Sequence, residues 1–190
     1  MVPLSQNLQE QVRQSVWTRE LPIYRSRVER DVTRFMRRWP PASRVMDAGC
    51  GDGYGMDIMK AAGHHPVGFD VNENKLAVAR QHGHEAVFCN LEELLVPDGS
   101  FDVVWCRHVL EHLTNPTTAL RCFCKALMLG GVLSLIVPIV EKPTKKHPTV
   151  IASVDDVAWW VRDAGFWMSK AELKLRPYGD EVWIWAQRRW

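Results

Sequence analysis

The chain has 190 residues, 46% of them hydrophobic and 24% charged, which suits one globular core without disulfide or metal staples and excludes disorder on a large scale. A net charge of +2 speaks against a dedicated nucleic-acid binder, and no run of about 18 apolar residues is present that would cross a membrane. The opening MVPLSQNLQEQVRQ has no apolar centre of the signal-peptide kind, and Cys50, Cys89, Cys106, Cys122 and Cys124 form no CxxC pair, so reduced thiols and a cytoplasmic location are expected.

Over 5–39 apolar residues recur at helical spacing through Leu8, Val12, Val16, Val28, Val32, Phe35 and Met36. The pattern predicts two helices, interrupted near Pro22 and closed by Pro40 and Pro41. After that, short apolar runs alternate with helical stretches, the pattern of a mostly parallel sheet with helices on both faces. Strands are predicted at 44–49, 66–70, 85–90, 101–107 and 132–138, and helices at 54–62, 74–81 and 116–129, the first and third of these followed by the cap residues Gly63 and Gly130. A polar loop, EKPTKKHP, leads into a helix within SVDDVAWWVRDAGF and a closing hairpin of KAELKL and VWIWAQR. Trp159, Trp160, Trp183 and Trp185 are expected to pack that hairpin against its helix, while His64, His65, His82 and His84 flank helix ends and are expected to be exposed.

The first predicted strand runs straight into DAGCGDGYG. Glycine there lets the backbone turn tightly and approach a ligand where a Cβ would collide, and the next helix aims free N–H groups at the same place. Asp70 closes the second strand 21 residues after Gly49, where a ribose hydroxyl pair would be held. The spacing is G-x-G-x-G, with Tyr54 and Met56 where a dinucleotide fingerprint would need its third glycine.

The full form, D-x-G-x-G-x-G, resembles the first motif of class I S-adenosylmethionine-dependent methyltransferases. GFDVNENKLAVAR is similar to that family's second-strand segment, NLEELLVPDGSFDVVWCRHVLEHLTNP to its type 11 branch, and GGVLSLIVP to the lead into the fifth strand. The resemblance covers about residues 42–140. It implies an α/β, Rossmann-like seven-stranded sheet of order 3-2-1-4-5-7-6 with strand 7 antiparallel. It also implies S-adenosyl-L-methionine lying over Gly49, Cys50, Gly51 and Gly53, with its ribose on Asp70, its adenine between Val71 and Leu91 near Asn90, and its methionine end near Asp47 and Arg107. Asn90 replaces the acid commonly seen in the family, and an amide carbonyl can still accept from the adenine amino group. The whole chain is expected to be one methyltransferase domain: a helical acceptor region at 1–40, the cofactor core at 42–140, and a closing helix and hairpin at 141–190.

HVLEH, residues 108–112, carries the H-x-x-E-H pattern of inverted zincins, but those place the pair on a long helix with no nucleotide-type loop. Ubiquinone-pathway O-methyltransferases have a similar E-x-x-E-H linked to a divalent ion; His108 stands in place of the leading Glu, which favours a softer ion or none, and no metal is assigned. His108 and His112 are the candidate catalytic bases, with His147 as a further candidate, since a neutral imidazole suits a hydroxyl acceptor. Against this stands a purely structural role for Glu111 and His112.

Residues 1–44 hold nine Arg against four acids. Trp17, Tyr24, Arg25 and Arg27 on one side, and Lys142, Lys145, Lys146 and His147 on the other, would form the acceptor side or simply a solvated basic rim. The expected activity is methyl transfer to a small-molecule, glycan or sugar-nucleotide acceptor, at oxygen rather than nitrogen. The alternatives are a nucleoside-binding regulatory subunit without turnover, or an RNA or protein methyltransferase. Oligomeric state is not encoded in any pattern found.

Overall fold

The computed structural model describes residues 21–177 and 179–189, so the earlier predicted N-terminal helix, with Trp17, lies outside the described residues. The alternating pattern becomes seven strands: β1 (Arg44–Ala48), β2 (His65–Asp70), β3 (Glu85–Phe88), β4 (Phe101–Arg107), β5 (Leu127–Pro138), β6 (Phe166–Lys174) and β7 (Glu181–Arg188). They form one sheet ordered β3-β2-β1-β4-β5-β7-β6, parallel from β3 to β5, with β7 antiparallel to both β5 and β6. This is the expected order.

The helices are α1 (Leu21–Met36), α2 (Tyr54–Ala61), α3 (Glu73–Gln81), α4 (Pro116–Ala126) and α5 (Val154–Asp163). Pro22 sits in the first turn of α1, where its missing N–H costs nothing. Successive strand residues point to opposite faces. Val45, Val103, Trp105, Ile136, Trp183 and Trp185 therefore pack with Val28, Val32 and Phe35 of α1, while Met46, Val104, Cys106, Leu135 and Ile184 pack with Leu120 and Phe123 of α4 and Val157 and Val161 of α5. With both faces covered, the sheet leaves its strand ends and the loops there as the natural ligand edge.

The structure corrects several sequence expectations. The helix predicted at 116–129 ends at Ala126, because Leu127 is fully buried and pairs with Phe101; the register then shifts so that Val103 faces Val132, and Gly130 (φ 79) turns within this irregular strand segment instead of capping a helix. Similarly, β6 starts at Phe166, once Gly165 (φ 96) has ended the turn after α5. Trp183 and Trp185 do not pack the hairpin against α5. They sit on the α1 face, where Phe35 stacks 4.5 Å from Trp185 and lies 5.3 Å from Trp183. Trp159 is exposed, and only Trp160 reaches the core on the α5 side. His64 and His84 are buried, not exposed, because each ring has found a polar partner: His64 Nδ1 accepts from the Ser43 N–H at 3.2 Å, and His84 Nε2 meets Asp57 at 2.8 Å.

Candidate functional site

The glycine loop leaves β1 at the sheet's carboxyl edge, anchored by the Gly49 and Cys50 N–H groups, which donate to the Phe69 carbonyl at 2.7 and 3.2 Å. Gly49, Gly51 and Gly53 all have positive φ (83, 56 and 84), the left-handed region that disfavours side chains. Their surroundings differ. A Cβ on Gly49 would stand 2.3 Å from Val109 Cγ2, so this glycine lets the loop pack on the segment after β4. A Cβ on Gly53 would meet His84 and Ala79, so that glycine closes α2 onto the end of α3. Among the described residues, a Cβ on Gly51 would meet only Lys75 Cδ at 3.8 Å, so this glycine leaves space beside the loop. Cys50 is turned inward, its Sγ filling the space over Gly68 of β2, and burial pushes its thiol up, helped by the charges of Asp47 and Asp70.

Asp70 ends β2 with its carboxylate across the loop: Oδ2 accepts from the Gly51 N–H at 2.9 Å and Oδ1 from the Asn72 N–H at 2.8 Å. Val71 beside it is exposed. Asn90 caps a 3-10 turn, Leu91–Glu93, by accepting from the Glu92 N–H at 3.1 Å, and Leu91 is turned into the core. The fold thus gathers Asp70, Val71 and Asn90 near one edge, with Leu91 as support beneath.

Asp47, in β1, is buried; desolvation pushes its carboxyl up to about 7, and the charge of Asp70 adds to the rise. An unfolded aspartate ionises near about 3.9, so folding takes up a proton above that value. Its stabilising contribution is complete below the unfolded pKa and lost as pH rises through about 7. Stability should fall across that window by at most about 1.4 kcal/mol per pH unit from this group. Urea titrations at several pH values should show the slope flattened in Asp47→Asn; an unchanged slope would clear Asp47 as its source.

Arg107, at the end of β4, is held by α1: its Nε donates to Asp31 Oδ2 at 3.0 Å, and Asp31 is fully buried. Tyr24 of α1 lies over the same guanidinium at 5.8 Å. Although 47% of Tyr24 is exposed, desolvation raises its hydroxyl above the ordinary value; Arg107 opposes this, and Asp52, Asp47 and Asp70 add to the rise. α1 therefore lies near the acidic groups Asp47, Asp52 and Asp70, and Arg25 covers the Tyr54 ring at 5.0 Å.

HVLEH follows β4 as a strained residue and a short 3-10 turn (Leu110–His112), not as a metalloprotease helix. His108 has φ 55, its N–H donating to the Ile136 carbonyl at 2.9 Å, and its Nε2 lies 2.9 Å from Oε1 of Glu181 in β7. Glu111 is buried, which pushes its carboxyl up to about 7 against the Arg107 and Lys146 charges, and among the described residues its Oε2 has no hydrogen-bond partner. His112 Nδ1 donates to the Lys146 carbonyl at 2.8 Å. Glu111, His112 and His147 bring ligand-type atoms within 4.8 Å of one another, a spacing a divalent ion can span. The segment carrying His147 is closed at its neck by the Val140–Ile151 bridge.

Sequence reasoning missed Glu181, Asp31 and Gly68. Asp31 did leave a signal, an acid on the apolar stripe of Val28, Val32 and Phe35. Glu181 left only an acid at the head of an apolar strand. A shallow groove lined by Arg44, Lys60, His65 and Glu85 lies at the opposite, amino end of β1 to β3 and shares no residue with this site.

A seven-stranded sheet of this order, with a glycine loop after the first strand and an acid closing the second, defines a nucleoside-binding methyltransferase fold. Residues 46–135 match the family described as Methyltransferase domain. A ubiquinone biosynthesis O-methyltransferase of Hahella chejuensis is 37% identical over 150 residues, covering 75% of this chain and 56% of the relative. A probable S-adenosylmethionine-dependent methyltransferase of Mycobacterium tuberculosis is 32% identical over 134 residues, 66% of this chain and 49% of the relative. The chain thus spans about half the length of these curated relatives. Among solved structures, a Burkholderia thailandensis 1,6-didemethyltoxoflavin-N1-methyltransferase with bound S-adenosylhomocysteine superimposes with a TM-score of 0.74 at 19% identity, over 100% of this chain and 93% of that one, a likeness of fold. Residues 46–135 are a class I S-adenosylmethionine-dependent methyltransferase domain.

Proposed function

We propose that this protein transfers a methyl group from S-adenosylmethionine to a hydroxyl of a small-molecule acceptor, with a glycan or sugar nucleotide within the same class. The observation that carries the reading is Asp70: a carboxylate at the strand edge, tied to the Gly51 and Asn72 amides beside an open glycine turn. The residues fit the donor. Asp47 and Asp70 repel each other, which is part of why Asp47 is hard to ionise, and a cation beside them would relieve that repulsion.

S-adenosylmethionine, when bound, supplies an electrophilic methyl group on a positively charged sulfur. Asp70 is then the acceptor for ribose hydroxyls, Val71 and the Asn90 region border the base, and Gly49 to Gly53 form the turn along which the nucleoside lies. Asp47 and Tyr24 flank the methionine end, while Arg107, already committed to Asp31, acts there as a support. His108 and His112 serve as bases for an acceptor that must lose a proton, and the 139–153 segment with α1 forms the acceptor side. Positioning of the two reactants supplies much of the acceleration.

Calorimetry with S-adenosylmethionine tests the reading. Asp70→Ala is expected to weaken binding by about 1–3 kcal/mol, the loss that follows removal of a charged hydrogen-bond acceptor. Equal affinity in wild type and variant would remove Asp70 from the site. Saturable binding with no methyl transfer to any acceptor pool would instead favour a regulatory subunit.

A further inference from the structure

We infer that Glu181 is a positioning residue that fixes the ring proton of His108 on Nε2 and so presents Nδ1 to the acceptor hydroxyl. This inference rests on the proposed methyl transfer. The pair is built by the sheet, not by local sequence. Antiparallel pairing of β5 with β7 sets Glu181 opposite Pro138, and the His108 backbone is tied to Ile136 two residues earlier on β5. Glu181 is 1% exposed, and its Oε1 is 2.9 Å from His108 Nε2. Its Oε2 accepts from Trp183 Nε1 at 3.0 Å and faces Arg176 Nε at 3.4 Å.

A carboxylate so surrounded can only accept, so the proton between the pair belongs to Nε2. Burial tends to raise the Glu181 carboxyl, but the hydrogen bonds from His108 and Trp183 outweigh it and hold the group at about 2. Burial also lowers His108, with the Glu181 bond opposing, which favours the neutral ring. In a neutral ring with hydrogen on Nε2, Nδ1 carries the lone pair. That nitrogen is 3.8 Å from Glu111 Oε1, too far for a hydrogen bond, while Glu111 Oε2 is buried without a partner among the described residues. The His108 side chain keeps 30% of its surface exposed, which leaves the ring reachable by an acceptor oxygen.

The step balances as follows. The acceptor O–H bond breaks as the new O–CH3 bond forms, sulfur leaves as a neutral thioether with the electron pair, and the proton passes to Nδ1. Glu181 stabilises the resulting imidazolium, which then returns its proton to solvent. This defines the acceptor class as a neutral hydroxyl that must be deprotonated during transfer.

Glu181→Gln tests the assignment, because it keeps size and shape but changes one role. The amide carbonyl must still accept from Trp183, which turns the NH2 group toward His108 Nε2. Nε2 must then accept, and the ring proton moves to Nδ1. Nitrogen NMR of 15N-histidine-labelled protein at neutral pH, with His108 assigned by the His108→Gln variant, should find hydrogen on Nε2 in wild type and on Nδ1 in Glu181→Gln. With S-adenosylmethionine and a panel of phenols, catechols, sugars and sugar nucleotides, kcat should fall by about 10²–10⁴-fold while KM and cofactor affinity stay within a few-fold; the inverted tautomer in a serine-protease triad has an effect of this order. Glu181→Asp, which remains acceptor-only, should retain the wild-type tautomer and much of kcat.

Hydrogen on Nδ1 in wild type, or an unmoved tautomer in Glu181→Gln, would overturn the inference, and the wild-type spectrum alone decides this if the variant fails to fold. A tautomer that inverts while kcat is unchanged would also overturn it. Wild type that binds the donor but methylates no hydroxyl in the panel would sink the proposed activity, and with it the base role of His108, whatever the spectra show.

Discussion

Asp31→Ala is expected to destabilise the protein by about 3–5 kcal/mol, the cost of leaving a buried charge without its partner. Asp31 is fully buried on the inner face of α1, and the Arg107 side chain it holds at 3.0 Å is 8% exposed. Removing the carboxylate strands a guanidinium that cannot lose its proton, in a site shaped by Val28, Val32 and Phe35. Arg30 also contacts Asp31, at 2.9 Å, but its own side chain is 45% exposed and can be hydrated once released. Equilibrium urea unfolding measures the loss. The double variant Asp31→Leu with Arg107→Met should recover most of it, since an apolar pair of similar volume often equals a buried ion pair. A single variant within about 1 kcal/mol of wild type would show the pair to be effectively solvated. The same variant should loosen α1 from the end of β4, so donor binding is expected to weaken beyond the effect on stability alone.

Gly49→Ala carries the second large effect, expected at about 2–5 kcal/mol from two separable sources. At φ 83 an alanine is strained by about 1–2 kcal/mol. Its Cβ would also stand 2.3 Å from Val109 Cγ2, and overpacking of that kind costs about 1–3 kcal/mol. Val109 follows His108 directly, so a backbone shift that relieves the clash would move the residue that carries the candidate base. Adding Val109→Ala should remove the clash and leave the backbone strain, giving partial recovery of stability. Full recovery would mean that the loop tolerates a left-handed alanine there without cost. No recovery would mean that the contact with Val109 is not what Gly49 serves.

These two sites illustrate different degrees of legibility. Gly49 was visible because a left-handed turn between a strand and a helix selects glycine locally, whatever the rest of the chain does. Asp70 was visible for a similar reason: an acid closing an apolar strand at a fixed interval from the loop. The side-chain tasks within the loop were not visible. Cys50 and Gly53 looked like the rest of the cradle, yet Cys50 packs over Gly68 and Gly53 against His84 and Ala79, contacts made by a neighbouring strand and helix. His64 and His84 looked like exposed helix-end residues because nothing nearby in sequence announces Ser43 or Asp57 as partners. Alternation places the β7 tryptophans on one face together but does not tell which face, so only the packed sheet sets them against α1.

From sequence alone came the strand and helix alternation, the closing hairpin, the glycine turn and its acidic companion, all of which depend on period and backbone preference within a few residues. The tertiary structure decided which polar groups meet: Arg107 with Asp31 across 76 residues, His108 with Glu181 across 73, His112 with the Lys146 carbonyl across 34. Such contacts depend on strand register and on how α1 and the last strand are laid against the sheet. A single buried polar side chain has no period of its own, so only the packed fold can assign its partner.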